Sequence, residues 1–262
     1  CVCVCVPNDL TPSLALTPPS PPPTHLCPIA LPTLTPPGTL LAHTDPAAYP
    51  VVPALPGYGT CRDGGYPDVH SYARHQALLS GWNLSDVWVH GHGTVDGQAL
   101  VNNPILGTSW VSRFKSKALD FGRPRLFEPM FSSNIALADL QLRNQAFWAV
   151  HPYACEGVYV GNVTVTAPRD EGIPNDDGID PDSCNNVLVE GCLVDVGDNS
   201  VAVKSGMDFA GREFGRPCSN LVFRNSTFVC ETFAVGSEMS GDVFKYVRAP
   251  HEHQACRVRK LF

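Results

Sequence analysis

The chain has 262 residues, enough for one domain with a large core, and its formal net charge of −7 argues against nucleic acid, whose binders are basic. No apolar run approaches the ~20 residues of a membrane span, so no membrane partner is expected. Gly, Pro, Val and Thr are plentiful while long amphipathic helical patterns are scarce, which points to an all-β fold.

Residues 1–37 open with CVCVCV and continue as a Pro/Thr/Ser/Leu-rich tract. Such a segment cannot bury enough surface to offset its ordering entropy, and disorder is the expectation. Residues 38–80 read as a lead-in. From Gly81 to about residue 248 short segments of one form recur: NLSDVWVHGHGTVDG at 83, SNIALADLQLRN at 133, EGVYVGNVTVTAP at 156, NNVLVEGCLVDVGDN at 185 and SNLVFRNSTFVC at 219. Each has a small polar pair, an alternating apolar run, a Gly/Asn/Asp break and a second alternating run. With Val87, Ile135, Val158, Val187 and Leu221 taken as equivalent, the spacings are 48, 23, 29 and 34 residues, the first being read as two units.

A 20–35-residue repeat of short strands without intervening helices is the pattern of a β-solenoid, each repeat being one coil. The same position in successive coils then stacks about 4.8 Å above its predecessor. Cys155, Cys184 and Cys218 each precede the equivalent apolar position by three residues, so they should form a column, as packed thiols more readily than as disulfides. The count of eleven cysteines is high and odd, and no paired CxxC at zinc spacing occurs. Together with the sequons at Asn83, Asn162 and Asn225, the cysteines tilt the reading towards a secreted protein, although no signal peptide is legible. Residues 249–262 read poorly as a coil and are expected to form an irregular tail.

The stretch PNDDGIDPD, residues 174–182, crowds four carboxylates into nine residues. A solvated acidic loop is one reading. A calcium loop is another, but the glutamate that closes an EF-hand loop is missing. The third is half of an acid/base pair. Asp198, 21 residues beyond Asp177 and about one coil later, supplies a candidate second carboxylate on the outer face of the spiral.

Here the sequence resembles the polygalacturonases of glycoside hydrolase family 28. The family's Asn-Thr-Asp-Gly matches Asn175-Asp176-Asp177-Gly178, and its Gly-Asp-Asp matches Gly197-Asp198-Asn199. PGTLLAHTDPAAYPVVPALPGYG at 37, GTVDGQ at 93, FWAVHP at 147, GIDPDSCNNV at 178, VAVKSG at 201 and VGSEMSG at 235 agree as well. The resemblance implies a right-handed parallel β-helix that hydrolyses α-1,4-linked galacturonan with inversion and without metal or other cofactor. It makes Asp198 the general acid, its pKa raised by neighbouring Asp177, and Asp177 part of the water-activating base, with Asn175 positioning the water or the sugar. Substrate carboxylates call for cations: Lys204 shares strand parity with Asp198, His151 lies one coil before Asp177, and Arg257 falls where the family's Arg-Ile-Lys is expected. Phe147 and Trp148 are expected in the core.

The chain also departs from that pattern. Asn199 stands where the family has the second Asp and cannot take a proton from water, so Asn199→Asp is expected to raise turnover. No histidine stands near Cys230–Thr232, where the fungal enzymes carry Gly-His-Gly. The family continues for several more coils, so a truncated product is expected. The expected protein is thus a secreted monomer acting on pectic polysaccharide (polygalacturonate). The alternatives are a β-helix that binds carbohydrate without cleaving it, or a hydrolase of another pectic polymer such as rhamnogalacturonan.

Overall fold

A computed structural model of the chain describes residues 27–30, 38–58, 73–229, 232–248 and 257–260. These coil into a right-handed parallel β-helix with three sheets running along its axis. The first sheet stacks Cys27–Ala30, Ser85–His90, Ser133–Ala138, Glu156–Gly161, Asn185–Glu190, Cys218–Arg224 and Val243–Arg248. The second stacks Thr39–Leu41, Thr94–Asp96, Gln141–Arg143, Thr164–Thr166, Leu193–Asp195 and Thr227–Val229. The third runs through Leu79–Trp82 and Phe127–Met130, single bridges at Val150, Tyr153, Ile179 and Asp182, then Val201–Val203, Thr232–Val235 and Arg257–Lys260.

The recurring sequence form has a local physical cause. The second residue of each small polar pair, Asp86, Asn134, Gly157, Asn186 or Asn220, takes a left-handed φ near the start of its first-sheet strand. The break before the second-sheet strand begins with a left-handed Asp139, Asn162, Gly191 or Asn225. Gly, Asn and Asp enter that region at least cost, which is why those types recur at these turns. Between the turns, alternation sends every second side chain inward. Val87, Ile135, Val158, Val187 and Leu221 are in register and buried. Val95, Leu142, Val165 and Val194 form the second buried stripe, and Phe127, Val150, Ile179, Val201 and Phe233 the third. The three stripes meet in one core. Cys155, Cys184 and Cys218 are buried free thiols, with Cys184 Sγ accepting from Cys155 N at 3.4 Å.

Several boundaries differ from the sequence expectation. The 48-residue spacing is a single coil, since Val87 pairs directly with Ile135. The extra length is an excursion carrying helix α1 (Trp110–Lys115), opened by a capping box between Ser109 and Ser112 and anchored by buried Trp110. Cys27–Ala30, within the segment expected to be disordered, is an edge strand on Ser85–His90, a place where Pro28 is tolerated. Residues 1–26 and 31–37, which complete that segment, lie outside the described residues. Arg257–Lys260, within the expected irregular tail, pairs with Thr232–Val235.

The lead-in does more than precede the solenoid. Its turn Pro56–Tyr58 lies over the outer face of the third sheet together with helix α2 (Asp208–Phe214). Tyr58 OH donates to Asp182, Gly57 N donates to Tyr153 OH at 3.0 Å, and Met207 N donates to Gly57 O at 2.8 Å. Leu55, Tyr58, Met130 and Tyr153 make a second apolar cluster under this cover.

Candidate active site

The acidic stretch forms the turn that enters the third sheet, held on both sides by adjacent coils. Ala149 N donates to Asp177 O at 2.9 Å from one side, and Gly178 N donates to Asn199 O at 2.9 Å on the other. Position 178 must be glycine, because a Cβ there would sit 2.6 Å from Ser200 O. Asp177 and Asn199 are thereby neighbours although 22 residues apart. Asp176 is the turn's anchor: its Oδ2 accepts from Gly197 N at 2.8 Å and its carboxyl is buried. Asn175 has a left-handed φ of 57°, and its Oδ1 accepts from Arg123 Nη2 at 2.8 Å. Arg123 also donates to Ala146 O and Pro174 O, while its guanidinium lies 3.9 Å from the Phe114 ring of α1. The excursion thus braces Asn175.

Asp177 is 2% exposed, whereas Asp198 and Asn199 are half-buried. The Asn199 amide joins the two carboxyls: Nδ2 lies 3.1 Å from Asp177 Oδ2 and 2.9 Å from Asp198 Oδ1. Burial pushes Asp177 up to about 7, with Asp198 and Glu238 adding to the rise and Lys204 and the Asn199 hydrogen bond opposing it. The raised proton affinity is that of Asp177, the deeper of the pair.

Lys204 has the parity expected of it, yet it is neither solvated nor open to a sugar. It is 3% exposed, with Nζ 2.7 Å from Glu238 Oε2, 3.6 Å from Asp180 Oδ2 and 4.1 Å from the Trp148 ring centroid. Burial alone would pull its pKa down, but Glu238, Asp180 and Asp177 outweigh that and raise it. Asp180 moves up well above the ordinary value, because it is buried beside Asp177. Lys204 is therefore a fixed positive charge beneath the carboxylate pair.

His151, read from sequence as a cleft candidate with a buried structural role slightly favoured, is wholly buried, with Nδ1 3.0 Å from Glu128 Oε1 and Nε2 3.3 Å from Asp182 Oδ2. Glu128 is also bound by Arg74 at 2.6 Å and Arg125 at 3.2 Å. Burial pushes Glu128 up, but these cations dominate and hold it down at about 2. Phe147 and Trp148 are buried, as expected. Arg257 pairs with Thr232 on the third-sheet strand two rungs beyond Val201–Val203, so the backbone sets it about 10 Å along the axis from the Asp198 coil. Sequence reasoning missed Glu238, Arg123 and Asp180. The VGSEMSG motif and the outward parity of Asp180 were the available signals.

Fold and site together define a single-stranded β-helix with a carboxylate pair where one coil turns into its third sheet. The chain belongs to glycosyl hydrolases family 28, whose sequence profile matches residues 66–248. A Vitis vinifera protein named probable polygalacturonase is 39% identical over 208 residues, 78% of this chain and 39% of that protein. An endo-polygalacturonase of Pectobacterium carotovorum is 28% identical over 168 residues, 63% of this chain and 40% of that one. The solved polygalacturonase of Erwinia carotovora superposes with a TM-score of 0.61 at 23% identity, covering 85% of this chain and 52% of that chain. This chain thus spans well under half the length of these two curated relatives.

Proposed function

We propose that the protein is a polygalacturonase-type hydrolase that cleaves α-1,4-galacturonosyl linkages of pectin with inversion. The observation that carries this reading is the Asp177/Asp198 pair, one carboxyl nearly buried and the other accessible, held on facing coils. An inverting glycosidase needs a carboxylic acid at the leaving oxygen and a carboxylate that deprotonates water on the opposite face. Access divides the roles. A glycosidic oxygen can reach half-buried Asp198, whereas little larger than water can reach an atom group 2% exposed such as Asp177.

The free site keeps a proton on Asp177 to about pH 7. In the reaction the pair works with one proton: Asp198 delivers a proton to the leaving oxygen and Asp177 takes one from the attacking water. Asn175, fixed by Arg123, faces the same turn and is placed to orient the water or the sugar. Lys204 acts as a buried counter-charge to Glu238, Asp180 and Asp177. The same resemblance, with the exposed sequons, supports a secreted monomer acting on cell-wall polysaccharide. Among the described residues no helix is long and apolar enough to cross a membrane.

The test is Asp198→Asn against polygalacturonate. An amide cannot protonate the leaving oxygen, so turnover should fall about 10² to 10⁴-fold while oligogalacturonate binding by calorimetry stays within about threefold. Unchanged turnover would place the acid elsewhere.

A further inference from the structure

We propose that Asn199 is a positioning residue, whose single amide nitrogen clamps Asp177 and Asp198 together while its carbonyl oxygen is left to accept the attacking water. This inference rests on the hydrolase reading above and deepens it. A primary amide has two hydrogens, and both are committed here, one to Asp177 Oδ2 at 3.1 Å and one to Asp198 Oδ1 at 2.9 Å. The amide presents its nitrogen to both carboxyls. The backbone carbonyl of Asn199 is taken by Gly178 N at 2.9 Å, while among the described residues no donor reaches its side-chain oxygen Oδ1. Its backbone N also donates to Asp198 Oδ1, at 2.9 Å, so one carboxyl oxygen of Asp198 is held by two donors from the same residue.

The consequence for the reaction is geometric and electrostatic. The clamp sets the separation of the two carboxyls without adding charge, where an aspartate at 199 would place a third carboxylate in contact with both. The Asn199 donor favours the ionised form of Asp177, which lowers the cost of parting with its proton during turnover. Asn199 cannot itself accept that proton, so water activation falls to Asp177, with the Asn199 carbonyl holding the water's second hydrogen. The charged and titratable groups facing Asp177 are Lys204 and Glu238 below it, Asp180 on its own turn and Asp198 on the next coil.

The test compares Asn199→Asp and Asn199→Ala with the natural protein in two readouts: the pH profile of polygalacturonate hydrolysis, and the titration of Asp177 followed by carboxyl carbon resonances, assigned by difference with Asp177→Asn. Loss of the donor should move the Asp177 midpoint upwards in both variants, further in Asn199→Asp because a like charge is added; a shift of about 1 to 3 pH units is the ordinary range for such a contact. The alkaline limb of the activity profile should move in the same direction, so any gain in turnover from Asn199→Asp appears on the alkaline side. Position 199 is half-buried, so both variants should fold, which circular dichroism checks. An Asp177 midpoint that stays put in both variants overturns the clamp, whatever the activity does. A natural protein that titrates as described yet hydrolyses no pectic polymer overturns the hydrolase reading alone.

Discussion

At the scale of residues, what the sequence made legible was identity and spacing. The two acidic motifs lie one coil apart, so Asp177 and Asp198 come onto adjacent coils, and Gly178 lies where the backbone of Ser200 approaches closely. Charge environment was not legible, because it depends on which groups lie above and below in neighbouring coils. Lys204 shows the difference. Parity put it on the outer face correctly, but nothing local says that Glu238, 34 residues later, would reach it at 2.7 Å. One pH prediction follows from that contact. The site needs the proton held on Asp177, so hydrolysis should decline as the pH rises through about 7. Lys204 opposes the rise in Asp177, so Lys204→Met should hold the proton more tightly and carry the declining limb to higher pH. A limb that stays in place, or moves to lower pH, would remove Lys204 from the charge balance of the site.

At the scale of elements, the strands were legible because the turn residues recur and the apolar period is two. The excursion with α1 and the cover over the third sheet were not, since both are departures from the repeat and carry no periodic signal. The cover explains why His151 is buried. The 128, 151 and 182 positions face outwards, but the lead-in turn and α2 close over them, and a buried ionic network fills the space. Such a network is held by all its members, and removing one partner of a buried pair costs about 3 to 5 kcal/mol. Glu128→Gln should therefore lower the unfolding free energy in that range, measured by denaturant titration at pH 7. The pH dependence has a definite sign. Glu128 is held at about 2 against an ordinary 4.5, so its contribution is present above 4.5 and is lost as the pH falls towards 2. The natural protein should lose more stability across that window than Glu128→Gln does. Equal losses would show that the network is worth little.

At the scale of the molecule, coils stack in register from Ser85 to Arg224, where the first-sheet equivalences drawn from sequence pair directly, and the register shifts between Ser219 and Leu221 on the step to Val243–Arg248. The solenoid makes a site from residues on different coils, so a carboxylate on one turn, an amide on the next and a lysine beneath them form one unit. The central claim is that this unit hydrolyses galacturonan, and it is tested most directly by the products from purified polygalacturonate. The account predicts new reducing ends, no ultraviolet absorption of an unsaturated end, and the β-anomer appearing first when the α-linkage is cut in a proton NMR time course, with all three signals lost in Asp198→Asn. Unsaturated ends, the α-anomer first, or tight binding with no products would contradict it.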